Sequence, residues 1–188
     1  KFNGFKELSY LHPNKFTPSK NIINDLSLTA KNYVFIRIIS NNSLNYKTQN
    51  LNTFNVIDYL FNKGIKIVVS LEDNNLRDIL KKKCLVLKEP VSDIPSILSF
   101  ASFSISYGDT MARESCLLGT PCIYTGGRHM VMNKELIDLG IMHKKEEFDE
   151  IIATIDFLSN FNENNKISEN ILKKIKNEWD DTNKVIMQ

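Results

Sequence analysis

The chain has 188 residues, with 24 Lys and Arg against 22 Asp and Glu, a formal charge of +2, and 42% hydrophobic residues. This length fits one domain with its own core and excludes a second complete one. The near-neutral charge excludes a dedicated nucleic-acid binder, whose basic residues would form a stripe. No apolar stretch approaches the ~20 residues that span a bilayer, and the first residues form no signal peptide. We therefore expect a soluble, cytoplasmic protein that binds no nucleic acid and has no transmembrane segment.

The cysteines Cys84, Cys116 and Cys122 are odd in number and contain no Cys-x-x-Cys pair. Their spacing suggests neither a disulfide framework nor a zinc site. We expect three buried, reduced thiols, and we predict no metal site. Because the first residue is Lys1 and not Met, the sequence is expected to be a piece of a longer protein.

Residues 1–32 contain Pro13 and Pro18 and few periodic apolar positions. They predict an irregular lead-in or interdomain segment with a short helix near residues 21–26. From residue 33, short apolar runs alternate with amphipathic stretches, which indicates βαβ units. The runs predict strands at 33–38, 65–70, 84–87, 102–107 and 121–124, and a sixth, short strand near 140–143.

Three amphipathic helices are predicted from apolar residues at helical spacing, over residues 51–61, 148–158 and 167–179. The Asn- and Lys-rich stretch 160–166 is expected to be a solvated loop. Residues 33–160 would then form a Rossmann-like domain, a three-layer αβα sandwich whose parallel, doubly wound sheet has five or six strands. Residues 161–188 would add a C-terminal helix, packed on this domain or on a missing N-terminal half. Ligands of such sheets bind at the carboxyl ends of the strands.

The segment that carries most chemical information runs from Ser106 to Tyr124. Its strand ends before Gly108, which permits a tight turn, and Asp109 or Thr110 can cap the helix that follows. A helix N-terminus behind a glycine presents free backbone N–H groups and about half a positive charge. Such a terminus suits a phosphate group.

Glu114 lies four residues after Thr110, on the same helix face one turn further along. A carboxylate at that distance can accept hydrogen bonds from two adjacent ribose hydroxyls. The pair predicts a nucleotide with its diphosphate at the helix start. The alternative is that Thr110 only caps the helix and Glu114 only favours its first turns, which stabilises a helix by ~0.3–1 kcal/mol.

Residues 108–114, Gly-Asp-Thr-Met-Ala-Arg-Glu, followed by Leu-Leu-Gly-Thr-Pro at 117–121, resemble the nucleotide-sugar motif in the C-terminal half of GT-B proteins. These include glycosyltransferases and the non-hydrolysing UDP-N-acetylglucosamine 2-epimerase. The chain also resembles an uncharacterised GT-B-like family of archaea and bacteria, known as a domain of unknown function. The family's Gly-x-Lys-Glu-x-x-Tyr-Leu segment is matched at residues 4–11, and its first-strand arginine by Arg37. The resemblance implies that Glu114 binds ribose and that Gly108 and Thr110 belong to the phosphate loop.

The chain departs from this family at two points. The family reads Gly-Asp-Ser-Gly-Thr at the turn, whereas residues 106–110 read Ser-Tyr-Gly-Asp-Thr. Asp109 therefore replaces a glycine where phosphate would approach; it either weakens nucleotide binding or turns outward as the helix cap. The His-Arg pair and the Glu-Asn residues of the epimerases are absent after the first strand, which argues against epimerisation.

A second candidate segment follows the fifth predicted strand. Gly126 and Gly127 let the backbone approach a ligand, and Arg128 with His129 supplies donors for phosphate or sugar oxygens. His129 and Asn133 share the spacing of a Gln-x-x-x-Asn pattern that touches the sugar in GT-B transferases. The alternative is a flexible surface loop whose Asn133 caps the next helix.

Arg37 interrupts an apolar strand, and an unpaired buried charge is costly. It should therefore reach a carboxylate, the loop at residues 38–43 or an anionic ligand. His12 and His143 show no ligand spacing and are expected to be structural or solvent-facing.

Together, these residues and the resemblance imply the nucleotide-sugar-binding half of a GT-B-type glycosyltransferase. Its substrate would be a UDP-linked sugar, with no cofactor and no obligatory metal. The helix dipole, backbone N–H groups, Arg37 and Arg128 would stabilise the departing diphosphate. The catalytic base would belong to a missing N-terminal GT-B domain, so this chain alone should bind but not turn over. The alternatives are a non-catalytic GT-B-like domain and a 2-epimerase-like isomerase.

Overall fold

The computed structural model describes residues 3–39, 50–72, 74–159 and 161–182. Six strands form one sheet in the order β3-β2-β1-β4-β5-β6, and every neighbouring pair is parallel. The predicted parallel, doubly wound sheet is confirmed, with six strands whose bounds agree with the predicted ones to within two residues. The strands are β1 Val34–Ile38, β2 Ile67–Leu71, β3 Leu85–Val86, β4 Phe103–Ser106, β5 Cys122–Tyr124 and β6 Met142–Lys144.

The described residues also form nine α-helices, and a single 3-10 turn covers Asn74–Leu76. The predicted helices over 51–61 and 148–158 are confirmed, and a positive φ of 72° at Gly64 follows the first of them. The helices are α1 Leu8–Leu11, α2 Lys20–Asp25, α3 Asn50–Asn62, α4 Arg77–Leu80, α5 Ile94–Phe100, α6 Asp109–Leu117, α7 Asn133–Asp138, α8 Phe148–Leu158 and α9 Phe161–Asn177.

The prediction of a solvated loop over 160–166 is wrong for residues 161–166, because α9 begins at Phe161. Residue 160 lies outside the described residues. The asparagines of this stretch have a weak helix propensity, but tertiary packing overrides such preferences. The packing comes from further along α9, where Ile171 and Ile175 are buried in the domain core.

Alternating side chains of each strand face opposite helical layers. In β1, Phe35 enters one hydrophobic cluster and Ile36 enters the other. The first cluster joins the sheet to α1, α2, α5, α6, α7 and α9, and the second joins it to α3, α4 and α8. A parallel sheet must be covered on both faces, which explains why its central strands are mainly apolar on both sides. The predicted three-layer sandwich is confirmed.

The first and last described residues pack against each other and against the domain. Phe5 lies edge-to-face on Trp179, with ring centroids 5.0 Å apart. The Oγ1 of Thr182 donates to the carbonyl of Phe5 at 3.0 Å, and Lys15 pairs with Asp181 at 2.5 Å. Buried apolar side chains of residues 3–32, among them Leu8 and Ile23, lie in the same hydrophobic cluster as Phe35 of the sheet. Residues 3–32, predicted as a lead-in, therefore share the core of residues 33–159.

Candidate functional site

The order of the strands reverses between β1 and β4, which are neighbours at the centre of the sheet. Ligands of open α/β sheets bind in the crevice outside the carboxyl ends of the strands at such a point. Arg37 lies opposite Ser106 in the register of these two strands. The candidate residues after β1 and β4 therefore meet at one edge, called the switch-point edge below. The predicted loop residues 40–43 lie outside the described residues.

Helix α6 starts at this edge. Its N-cap is Gly108, in an ordinary extended conformation with φ −103°, and no side chain caps it. The expectation that Asp109 or Thr110 caps the helix is wrong, because Ser106 holds the turn upstream and the helix starts earlier. The Oγ of Ser106 accepts from the Gly108 N–H at 3.2 Å and donates to the Gly108 carbonyl at 2.8 Å. The first turn of a helix carries N–H groups without intrahelical partners and a partial positive charge.

Asp109 is buried, and it turns inward and not outward as a cap. Its Oδ1 accepts a hydrogen bond from the Tyr124 hydroxyl, and its Oδ2 lies 3.5 Å from Nη1 of Arg128. Gly126 makes room for this arrangement, because a Cβ there would lie 2.4 Å from the Tyr124 hydroxyl. An anion placed in the first turn of α6 is favoured by the helix dipole as well as by these two donors.

Glu114 is partly buried one turn further along α6. Its Oε1 accepts a hydrogen bond from the Tyr10 hydroxyl at 2.5 Å. Burial raises the pKa of the Glu114 carboxyl, and the charge of Glu7 raises it further. The hydrogen bond from Tyr10 and the charges of Arg113 and Arg37 act in the opposite direction. The charge of Arg37 therefore acts on the Glu114 carboxyl across the switch-point edge.

Arg37 is paired, as its place in an apolar strand predicted. Its guanidinium donates to the Ser70 hydroxyl at 2.5 Å and to Oε1 of Glu72 at 2.8 Å. Oε1 of Glu89 lies 3.6 Å from Nη1 and accepts from Ser70 at 2.6 Å. Two carboxylates therefore balance the charge of Arg37, and neither was found as a site residue by sequence reasoning.

The second predicted segment divides between surface and interior. Gly127, Arg128 and His129 are exposed, whereas Asn133 is buried at 2% exposure. Asn133 does not cap α7, whose N-cap is Met132. Arg128, His129 and Asn133 nevertheless line one shallow cavity of about 260 Å³ beside the switch-point edge.

A buried polar network lies behind α6. The Nε of Arg113 donates to Oε1 of Glu7 at 2.8 Å, and its Nη1 donates to Oδ1 of Asn133 at 3.2 Å. Within the described ranges, Oε2 of Glu7 and Nδ2 of Asn133 have no hydrogen-bond partner. Sequence reasoning gave no role to Glu7, Arg113 or Tyr10. The only signal was their place in the two segments that carried the family resemblance.

The remaining histidines and the three cysteines are buried or half-buried side chains. His12 is buried and its Nδ1 accepts from the N–H of Asn14 at 3.2 Å, and His143 is half-buried. In the part of the chain that the structure describes, no group of His, Cys, Asp and Glu could hold a metal ion. The three cysteines are free and buried, as predicted. None of the described helices is both long and apolar enough to cross a membrane.

The solved structures that are similar to this chain include UDP-GlcNAc 2-epimerases and a glycosyltransferase. The UDP-GlcNAc 2-epimerase of Methanocaldococcus jannaschii, in complex with UDP-GlcNAc and UDP, is similar at a TM-score of 0.60 and 16% identity, over 76% of this chain and 42% of its own. The UDP-GlcNAc 2-epimerase of Neisseria meningitidis, bound to UDP-GlcNAc, is similar at a TM-score of 0.59 and 13% identity, over 83% of this chain and 46% of its own. The spinosyn rhamnosyltransferase SpnG, complexed with spinosyn aglycone, is similar at a TM-score of 0.62 and 13% identity, over 85% of this chain and 45% of its own. The chain thus spans less than half of each neighbour.

The strand order and these neighbours define a GT-B-like domain with a Rossmann-like fold. The chain belongs to the family described as "Protein of unknown function (DUF354)", whose model matches residues 1–188. No curated protein matches the sequence.

Proposed function

We propose that this domain binds a nucleotide sugar, UDP-linked, at the switch-point edge, as one half of a GT-B-type glycosyltransferase. The observation that carries the proposal is the pairing of an uncapped helix start at Asp109 with a partly buried carboxylate, Glu114, one turn along the same helix. The helix start supplies N–H donors for a diphosphate, and the carboxylate supplies acceptors for a ribose diol. The epimerase neighbours that carry UDP-GlcNAc lend support through their shared fold.

In the proposed mechanism, the domain stabilises charge on the departing diphosphate. Backbone N–H groups of the first turn of α6 and the helix dipole act on the phosphate oxygens. Arg128 is the cation proposed to turn toward the phosphates, because half of its side chain is exposed and its contact with Asp109 is long, at 3.5 Å. Arg37 contributes less charge than the sequence suggested, since Glu72 and Glu89 balance it.

No side chain at the switch-point edge is proposed as the catalytic base. We assign the base to a second, N-terminal GT-B domain of a longer polypeptide, because the neighbours are more than twice the length that this chain spans. The chain alone should therefore bind the nucleotide sugar without transferring it. Sugar transfer by residues 1–188 alone would contradict this assignment.

The binding proposal is tested by calorimetric titration with UDP and GDP and their sugars. Glu114→Gln should weaken UDP binding by about 10- to 100-fold, since a hydrogen bond to a charged group contributes ~1.5–3 kcal/mol. Glu169→Gln, an exposed glutamate on α9, is the matched control and should leave the affinity unchanged. Absence of heat at millimolar ligand would refute the proposal.

The second candidate is a non-catalytic domain that kept the fold and lost the ligand. The buried carboxylate of Asp109 favours it, because this side chain already accepts from Tyr124 and pairs with Arg128 in the first turn. If this candidate is correct, the wild type binds no nucleotide and Asp109→Gly restores binding. A 2-epimerase activity has no comparable support, because the fold similarity to epimerases and transferases is equal and the His-Arg pair is absent from the sequence.

A further inference from the structure

Tyr10 lies at the switch-point edge although it comes from the first helix of the chain. Its side chain is exposed, with 47% of the residue accessible, and its hydroxyl donates to Oε1 of Glu114 at 2.5 Å. The contact joins residues that are 104 positions apart. Glu114 is the residue to which the proposed function gives the ribose, so Tyr10 lies next to the expected ligand.

The position of Tyr10 is fixed by buried contacts. Glu7, one turn before it on α1, forms a buried ion pair with Arg113 at 2.8 Å. Arg113 is the residue before Glu114, so two side chains of the α1 segment hold two consecutive residues of α6. The apolar side chains Leu8 and Leu11 of α1 are buried in the core. The Tyr10 hydroxyl is thus placed by a rigid element.

The hydrogen bond from Tyr10 prepares Glu114 for a diol. An ionised carboxylate has about four acceptor positions, and Tyr10 takes one of them. Oε2 and the second position on Oε1 are left for two adjacent hydroxyls. The phenol also fixes the orientation of a side chain that would otherwise sample several rotamers, so this ordering is complete before the ligand arrives. Donation to the ionised carboxylate counteracts the burial that raises the pKa of Glu114.

We infer that Tyr10 is a positioning residue that makes the site selective for a ribonucleoside diphosphate over its 2′-deoxy analogue. The inference rests on the proposed function, because it takes Glu114 as the ribose acceptor. A ligand without the 2′-hydroxyl leaves one acceptor position of Glu114 without a hydrogen bond. The resulting loss of affinity is larger when the carboxylate is fixed in orientation and cannot turn to another donor.

The test compares calorimetric titrations with uridine diphosphate and 2′-deoxyuridine diphosphate. Wild type should prefer the ribonucleotide by about tenfold or more. Tyr10→Phe should weaken the binding of uridine diphosphate by about tenfold and leave the binding of the deoxy analogue nearly unchanged. The ratio of the two affinities should then be close to one. Tyr59→Phe is the matched control, because Tyr59 also donates to a carboxylate, Asp156, at 2.7 and 2.9 Å, between α3 and α8 on the opposite face of the sheet.

The outcomes separate the two claims. If wild type prefers the ribonucleotide and Tyr10→Phe keeps the same ratio, the role of Tyr10 is refuted and the proposed function stands. Tighter binding of uridine diphosphate by Tyr10→Phe would also refute it, since Tyr10 would then compete with the ribose. If wild type binds neither nucleotide, both claims fail. Because Tyr10 is exposed, the variant should keep the wild-type unfolding midpoint in urea, which checks that a change in ratio is not a folding defect.

Discussion

Replacement of Arg113 by Met tests whether the buried ion pair fastens the first helix to α6. The side chains of Arg113 and Glu7 are only 4% and 1% exposed. The variant would leave the Glu7 carboxylate buried without its counter-charge, and its Oε2 already lacks a partner among the described residues. Breaking a buried pair at one end costs ~3–5 kcal/mol. With a urea m-value of about 2 kcal/mol/M, the unfolding midpoint should fall by roughly 1.5–2.5 M.

The assay is urea unfolding followed by the fluorescence of Trp179, the single tryptophan, which packs on Phe5. Glu7→Leu combined with Arg113→Met should recover part of the loss, because apolar replacement of both charged partners is often neutral. The rest of the loss stays, because Oδ1 of the buried Asn133 has then lost its donor Arg113. The control is Lys134→Met, which breaks an exposed pair with Asp138 and should cost less than ~0.5 kcal/mol. A loss below ~1 kcal/mol in Arg113→Met, or a double variant no better than the worse single one, would refute the reasoning.

Two further predictions concern the packing at β5 and the titration of β6. Gly126→Ala should lower the free energy of unfolding by ~1–3 kcal/mol, because the added Cβ would displace the fully buried Tyr124 ring. Gly127→Ala is the control and should change it by less than ~0.5 kcal/mol, because a Cβ at Gly127 would meet open space. Equal effects of the two variants in urea unfolding would contradict this prediction. Burial and the charge of Lys145 lower the pKa of His143 in the folded state. As the pH falls below about 6.5, the unfolded state therefore takes up a proton that the folded state resists, and the free energy of unfolding decreases. His143→Leu should flatten this part of the curve between about pH 5 and 7. Curves of identical shape for His143→Leu and the wild type would show that His143 does not contribute.

The fold could be predicted because its signals are local. In β1 and β2, short runs that are apolar except for Arg37 and Ser70 indicated strands covered on both faces, and apolar residues at helical spacing indicated α3. The error at residues 161–166 has the opposite origin. Composition there favours a loop, but the backbone continues a helix whose apolar stripe packs further along the chain.

The candidate site could be predicted only where its residues are contiguous. Gly108, Thr110 and Glu114 share one strand-turn-helix segment, so spacing alone placed them together. The contacts that shape the site are long-range. Tyr10 reaches Glu114 over 104 positions, and no periodicity in the sequence reports such a contact. The sequence left open whether Asp109 weakens nucleotide binding or turns outward as a cap. Its inward contact was not predicted, because its partner Tyr124 comes from the next strand and a local pattern does not report a donor 15 positions away.

The choice between a binding domain and a degenerate one depends on which anion holds Arg128. The contact between Arg128 and Asp109 is long, at 3.5 Å, and half of the Arg128 side chain is exposed. Such a pair contributes ~0–1 kcal/mol, which a single phosphate charge can match. A diphosphate carries more than one charge and also gains the N–H groups of the first turn of α6. Arg128 can follow it because half of its side chain is exposed, while the Tyr124 hydroxyl stays with Asp109 and stabilises the carboxylate that Arg128 leaves. Under the proposed function, a diphosphate therefore attracts Arg128 more strongly than Asp109 does, and the proposal expects Arg128 to leave Asp109 when the ligand binds.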